Sequence, residues 1–447
     1  MFNRILLSAA CAAVLAVPAT ATAAGHPIPG HYIVVLKGST SGPNVAAEHS
    51  RSLGAGVTQT YDHAIHGYAA SLSTAALVRV KADPRVDYVF QDREGVAVQA
   101  QTLPTAQTLP TGVDRIDADL SSQLAGDGQG TTPGDVAVFD TGIQPNHPDL
   151  NVAGGVDCLN GYSGDDGTYN DANGHGTHVA GIIGAKDDAN GVVGTAPGVR
   201  LWAVRTLNLL GSGSASTQLC GIDWVTANGP ALGIKVANSS QALFAYADDG
   251  NCGFTNNDPL HQAICRSTQA GILWVFGTGN NARDFAPNAG TDFDEVLSVS
   301  AIADSNGLPN VGSTSTFTCR PVDATRKNTT YANETDDEYT SYSAWAVSAA
   351  DQAHTVAAPG QCIYSTYKGS TYGYLSGTSM SGPYAAGVAH LCVVSGQCPG
   401  TPAETIQKLR SDAETHTLAN PSWGFTGDPL HPVTGRYYGY LLDAGLY

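Results

Sequence analysis

The chain has 447 residues, too long for one hydrophobic core and long enough for two or three domains. A hydrophobic content of 42% with 52 glycines describes a globular, turn-rich protein and excludes a disordered one. The formal net charge of -18 excludes nucleic acid and an anionic membrane surface as partners, and leaves a soluble exterior or attraction to basic substrates.

The first residues read as a secretory signal ending after residue 23. Asn3 and Arg4 give a cationic start, "ILLSAACAAVLAV" an apolar run too short to span a bilayer, and Ala21-Thr22-Ala23 a small-x-small cleavage site. No later segment reads as a membrane span, so a secreted, extracellular product is expected. From His31 to about Arg93 the pattern is that of a small α+β module. "YIVVLKG", "GYAASLS" and "VDYVFQD" read as strands, and "NVAAEHSRSLGA" and "TAALVRVKADP" as the helices between them. A tandem hexapeptide, "AQTLPT" at 100–105 and again at 106–111, is too short for a structural repeat and reads as an extended linker.

Residues 106–447 have a different texture. The short apolar runs "DVAVFD", "RLWAVRT", "GIKVAN", "GILWVFG" and "VLSVSAI" alternate with segments of helical period such as "HGTHVAGIIGA" and "PLHQAICRSTQA". That alternation predicts an α/β fold, a parallel sheet flanked by helices on both faces. Near the end, "TPAETIQKLRSDAE" opens a helix with Thr401 and Glu404 in capping-box register and Pro402 in the first turn.

Apart from Cys11 in the signal there are eight cysteines, at 158, 220, 252, 265, 319, 362, 392 and 398. An even number in an exported chain predicts disulfides, with short loops at Cys252–Cys265 and Cys392–Cys398 attractive and the full connectivity open. None shows the close paired spacing of a zinc site.

In a sheet of this kind reactive groups gather at the carboxyl edge, where strands end and helices begin. Asp140 ends "VAVF", His175 opens a helix after "DANG", and Ser379 opens another after Gly377 in "SGTSMSGPYAAG". A serine hydroxyl becomes a nucleophile when a neutral imidazole takes its proton and a buried carboxylate orients that imidazole. Asp140, His175 and Ser379 supply those three groups. Each alone has an ordinary explanation, as turn cap, surface histidine or helix N-cap.

The longer text decides between them. "VAVFDTGIQPNHPDL", "NGHGTHVAG" and "SGTSMSGPYAAG", in that order, resemble the three signature segments of the subtilisin family of serine proteases. The resemblance covers nearly all of 107–447, and residues 24–105 are similar to the family's inhibitory propeptide. It implies a subtilisin-like fold preceded by a ferredoxin-like propeptide. It implies Asp140 as orienting acid, His175 as general base, Ser379 as nucleophile and Asn280, after the strand-end Gly279, as oxyanion donor. The second histidine, His178, is structural in the family pattern.

Ser240, Gln241 and Ala242, in "NSSQAL", fall on the family's substrate-binding strand, usually close to "NMSLGG". Gln241 replaces an apolar residue, and Ala242 and Leu243 replace two glycines, which is expected to narrow or reshape the pocket. Gln107, Asp149 and Asp188 align with side-chain ligands of the family's tight calcium site, with Asp188 in place of asparagine. No cofactor is expected for catalysis, and structural Ca²⁺ is. Protein or peptide substrates are implied, with the chain's own propeptide as intramolecular inhibitor and a monomeric enzyme. Maturation is expected near Ala106, with Ala100 an equivalent start. The rival reading is a non-catalytic binding protein on a protease scaffold. The presence of all four catalytic groups argues against it. A transpeptidase or peptide ligase shares the triad but lacks any sign of water exclusion.

Overall fold

The computed structural model describes residues 27–95, 107–160, 167–243, 245–317 and 333–447. The signal and most of the tandem hexapeptide lie outside these residues. The amino-terminal module contains β1 (Pro27–Leu36), α1 (Gly42–Leu53), β2 (Gly56–Tyr61), β3 (Gly67–Ser71), α2 (Thr74–Lys81) and β4 (Val86–Gly95). Its strands lie in the order β2-β3-β1-β4, all antiparallel. That is the expected ferredoxin-like arrangement with one strand more than the sequence pattern showed. β2, "GVTQTY", is an edge strand whose polar residues give no apolar alternation.

The larger part starts with the short helix α3 (Thr111–Asp114) and the strands β5 (Asp135–Asp140) and β6 (Val152–Asp157). Helix α4 (His175–Gly184), β7 (Arg200–Arg205), β8 (Gly213–Ser214), α5 (Ala215–Leu232) and β9 (Ile234–Ser239) follow. Then come α6 (Pro259–Gln269), β10 (Leu273–Gly277), β11 (Leu297–Ala303), α7 (Ala349–Gln352), α8 (Thr378–Val394) and α9 (Pro402–Ala419). The main sheet runs β6-β7-β5-β9-β10-β11, with the strand Thr355–Pro359 beside β11. All of these pair in parallel; the two-residue strand Glu338–Tyr339 is antiparallel. β5 is completely buried, which is why its sequence is an unbroken apolar run closed by Asp140.

Helix α8 crosses behind the sheet against β9, β10, β11 and Thr355–Pro359, and also meets α4 and α9. Its small residues are buried on every side, so it is the axle of the domain and not a surface helix. Helix α9 has the predicted capping box: the Thr401 hydroxyl accepts from Glu404 N at 3.3 Å, and Thr401 N donates to Glu404 Oε2 at 2.7 Å. Disulfides join Cys158 to Cys220, Cys252 to Cys265 and Cys392 to Cys398. Cys362 is also disulfide-bonded, to a partner outside the described residues. Among the described residues no helix is long and apolar enough to cross a membrane.

Candidate active site

The strand order places β5 centrally, between β7 on one side and β9 on the other. The crevice at the carboxyl ends of such strands is where an α/β sheet binds its ligand. Asp140 is at the end of β5, Ser240 follows β9, and Gly279-Asn280 follow β10. Gly176 lets the start of α4 press against the Asp140 turn, because a Cβ there would lie 2.1 Å from the Gly142 carbonyl oxygen. The result is a bond from His175 Nδ1 to Asp140, 2.8 Å to each carboxylate oxygen, with both side chains buried. Burial disfavours the imidazolium. The charge and hydrogen bond of Asp140, with the charge of Asp171, outweigh it and leave His175 more basic than an ordinary histidine.

Ser379 sits in the first turn of α8. Pro383 has no N–H to bond the Ser379 carbonyl. The Ser240 hydroxyl donates to that carbonyl instead, at 2.8 Å, and the Ser379 hydroxyl donates to the Ser240 carbonyl at 3.2 Å. Among the described residues the Ser379 hydroxyl is therefore not bonded to His175. Catalytic hydrogen bonds often tighten only with substrate present. The other two serines of the segment are used elsewhere. The buried Ser381 hydroxyl donates to the Thr378 carbonyl at 3.0 Å, and Ser376 Oγ accepts from Cys362 N at 2.9 Å.

Across the cleft, Asn280 Oδ1 accepts from Thr378 N at 2.8 Å and from the Thr378 hydroxyl at 3.1 Å. One end of a planar amide is thus fixed, which orients the Nδ2 end as a donor beside the mouth of α8. In the first turn of α8, Thr378 N is taken by Asn280, and Met380 N bonds the Gly377 carbonyl at 2.9 Å. That leaves the Ser379 N–H between them at the positive end of the helix dipole. Gly279 makes the turn with φ of 105°, a conformation costly for any other residue here.

A cavity of about 240 Å³ adjoins Ser379, walled by Ser240, Gln241 and Ala242 on one side and Gly279 and Asn280 on the other. Asn281, Asn288 and Thr291, which the sequence reading did not single out, also line it. Gln241 is held by two bonds, Nε2 to the Thr206 hydroxyl at 2.6 Å and Oε1 from Gln218 Nε2 at 3.1 Å. Leu243 departs from expectation: it does not narrow the pocket but is buried in the core beside Gly290. An apolar side chain placed next to an open core position goes there rather than into a polar cleft.

His178 Nε2 donates to the carbonyls of Ile363 and Gly373, both at 3.0 Å, and burial pushes its pKa down to about 3. It ties α4 to the hairpin 363–375 and has no geometry for a metal pair with His175. In the calcium candidate, Asp149 Oδ2 accepts from Val192 N at 2.9 Å, while Oδ1 is buried without a hydrogen-bond partner. Burial above all, with the nearby Asp188 charge, pushes the Asp149 carboxyl up to about 7. Gln107 lies against the same loop, its N–H on the Ala189 carbonyl at 3.2 Å and its Nε2 on the Lys186 carbonyl at 3.0 Å. An orphaned buried carboxylate oxygen among oxygen-rich neighbours is the donor set of a hard cation, so these residues fit Ca²⁺.

The amino-terminal module lies on α5 and α6. Its Ile33, Val35, Tyr61, Ile65 and Phe90 share one apolar cluster with Leu219, Ile222, Leu260 and Ile264. Asp223 Oδ1 accepts from His63 N at 2.9 Å and Ala64 N at 2.6 Å, and Asp92 accepts from Ser216 N at 2.9 Å. β4 extends the module's sheet onto β8, Glu94 opposite Ser214 and Gly95 opposite Gly213. From the first turn of α5, just after β8, Gln218 reaches the Ala242 carbonyl at 2.9 Å. The carboxyl end of the module thus lies close to the pocket wall.

A serine at a helix mouth, a carboxylate-bound imidazole and a side-chain amide at the same sheet edge are the groups that a serine peptidase uses. Comparison with known proteins agrees. The subtilase family model matches residues 134–425, and the peptidase inhibitor I9 model matches residues 31–95. The chain belongs to the subtilase family. It is 33% identical to Subtilisin DY of Bacillus licheniformis over 315 residues, 70% of this chain and 93% of that one. It is 31% identical to the Thermostable alkaline protease of Halalkalibacterium halodurans over 353 residues, 79% of this chain and 78% of that one. Among solved structures, a cold adapted subtilisin-like serine proteinase superposes with a TM-score of 0.51 at 25% identity, covering 75% of this chain and 98% of that chain. The chain is therefore a subtilisin-like serine peptidase with an I9 propeptide, acting on protein substrates.

Proposed function

We propose that the chain is a secreted serine endopeptidase, made as a precursor that cuts itself, with Asp140, His175 and Ser379 as its triad. The observation that carries this is the buried Asp140–His175 pair at 2.8 Å, at the same sheet edge as the first turn of α8, which holds Ser379. In this reading His175 Nε2 takes the Ser379 proton as Oγ attacks the scissile carbonyl, while Asp140 holds Nδ1–H and stabilises the imidazolium. The oxyanion forms between Asn280 Nδ2 and the Ser379 N–H. His175 then protonates the leaving amine, and water resolves the acyl-enzyme by the reverse path.

Residues 24–105 act as the inhibitory propeptide, supported by β4 pairing beside the pocket wall, with residues 106–447 as the mature peptidase. The signal-like amino terminus supports export, and the mature enzyme acts as a monomer. Gln107, Asp149 and Asp188 would hold a Ca²⁺ that ties the mature amino terminus to the loop 186–192 and supplies no catalytic step. The test is a fluorophosphonate probe on the matured protein together with the Ser379→Ala precursor. Labelling at Ser379 and an uncut Ser379→Ala chain are expected. An unlabelled wild-type protein would mean a binding scaffold, and normal processing of Ser379→Ala in a protease-free system would exclude self-cleavage.

A further inference from the structure

We propose that Asp171 is a second carboxylate of the catalytic centre, a positioning residue that acts on His175 through Thr141 and the first turn of α4. This rests on the triad reading above. Asp171 is buried, and its Oδ1 accepts from the Thr141 hydroxyl at 2.8 Å, Asn173 N at 2.9 Å and Gly174 N at 2.7 Å. Its Oδ2 accepts from Thr177 N at 2.9 Å and the Thr177 hydroxyl at 2.7 Å. Thr141 N in turn donates to Asp140 Oδ1 at 2.7 Å, and Gly176 N donates to the Thr141 hydroxyl at 2.9 Å. One carboxylate therefore gathers the turn that carries the triad acid and the loop and helix start that carry the triad base.

Its ionisation follows from the donor count. The Thr141 hydroxyl accepts from Gly176 N, and the Thr177 hydroxyl accepts from Gln144 N at 3.1 Å. Each hydroxyl proton is then free for Asp171, whose two oxygens face donors alone. Burial pushes the Asp171 carboxyl above the ordinary aspartate range, and the hydrogen bonds from Thr177, Gly174 and Thr141 oppose that. A protonated carboxyl would waste one of these bonds, so the donors favour the anion. That fixed negative charge, buried near His175, favours the imidazolium formed when Ser379 attacks.

Other charged groups among the described residues lie around this centre. Asp140 faces His175 from β5, and His178 on α4 is neutral through burial. Lys368 Nζ bonds the Ala172 carbonyl at 2.7 Å from the hairpin side, and Arg205 on β7 bonds the Thr168 carbonyl at 2.5 Å. The Asp171 charge reaches the imidazole with Asp140 beside it, and both favour the imidazolium.

The test compares full-length Asp171→Asn, Thr141→Val and Thr141→Ser proteins after maturation, by kcat/KM against pH on a peptide substrate and by Tm. Asp171→Asn is expected to move the acid limb of the profile down by about half a pH unit or more, because His175 loses a neighbouring anion. Thr141→Val is expected to lower kcat several-fold at unchanged KM with the acid limb in place, and Thr141→Ser to restore it. An active Asp171→Asn enzyme with an unshifted acid limb would overturn the proposal. Should Asp171→Asn not fold, the threonine pair decides, and a wild-type kcat in Thr141→Val overturns it. None of these outcomes touches the triad reading, which falls only with the Ser379 labelling experiment.

Discussion

The Asn280 amide has one end held by Thr378, so its contribution to catalysis is a pre-set donor that needs no reorganisation during reaction. Asn280→Ala should lower kcat with little change in KM, measured on a peptide substrate. The size known for this substitution, about 10²–10³-fold, comes from subtilisin itself, a relative of this chain. Asp292 shows the reverse case, a carboxylate poorly served by its surroundings. Its Oδ2 accepts from Asp248 N at 2.8 Å, its Oδ1 is buried without a hydrogen-bond partner, and burial, with the charges of Asp248 and Asp351, pushes its pKa up to about 8. The unfolded chain would ionise it near 3.9 or so, about the ordinary aspartate value. Its contribution to stability is thus complete below that pH and is lost as pH rises through about 8. Asp292→Asn keeps the acceptor and supplies a donor where the orphaned oxygen was. Its Tm advantage over the native protein should be larger at pH 8.5 than at pH 5, and an equal offset at both would contradict this. At this scale the triad and Asn280 were legible because long motifs surround them. Asp171 was not, since a lone Asp just ahead of Asn173-Gly174 reads as a turn cap, and four of its five donors are the local ones such a cap would have. Only the Thr141 hydroxyl, from a distant segment, ties it to the triad acid.

Among the elements, β5, β7, β9, β10 and β11 were legible almost to the residue, because strands buried in a parallel sheet are written as continuous apolar runs. Thr355–Pro359 is as deeply buried but was not marked, its Val-Ala-Ala run being short and weakly apolar. β2 and α5 were not marked. β2 has a polar edge, and α5 buries Gln218 and Asp223 as well as apolar residues because it faces both the pocket wall and the module. Its apolar period is therefore weak, although it is the element on which the propeptide rests. Asp223 is the point to test there. Asp223→Ala would leave the His63 and Ala64 amides without their acceptor, at a cost of about 1–3 kcal/mol for an unsatisfied buried group. Propeptide release should quicken, and the lag between precursor cleavage and full activity should shorten in a continuous assay. An unchanged lag would show that the apolar cluster alone holds the module.

For the whole molecule, stability is shared between a close-packed sheet, three described disulfides and the loop 186–192. If Gln107, Asp149 and Asp188 hold Ca²⁺, a chelator should lower Tm, and Asp149→Asn should abolish that response; no shift with EDTA would remove the site. The fold class and two-part organisation were legible from texture alone, whereas the docking of the parts was not, because it depends on surfaces far apart in the chain. One arrangement within the pocket has a wider effect. Gln241 is braced by Thr206 and Gln218, while the proton-transfer groups are braced through Asp140, Thr141 and Asp171. The two sets of braces share no residue. They meet at one backbone bond, Thr206 N to the Asp140 carbonyl at 2.9 Å. A wall substitution that leaves Thr206 in place therefore redraws what the enzyme prefers to cut, while one that moves Thr206 reaches the rate of cutting as well.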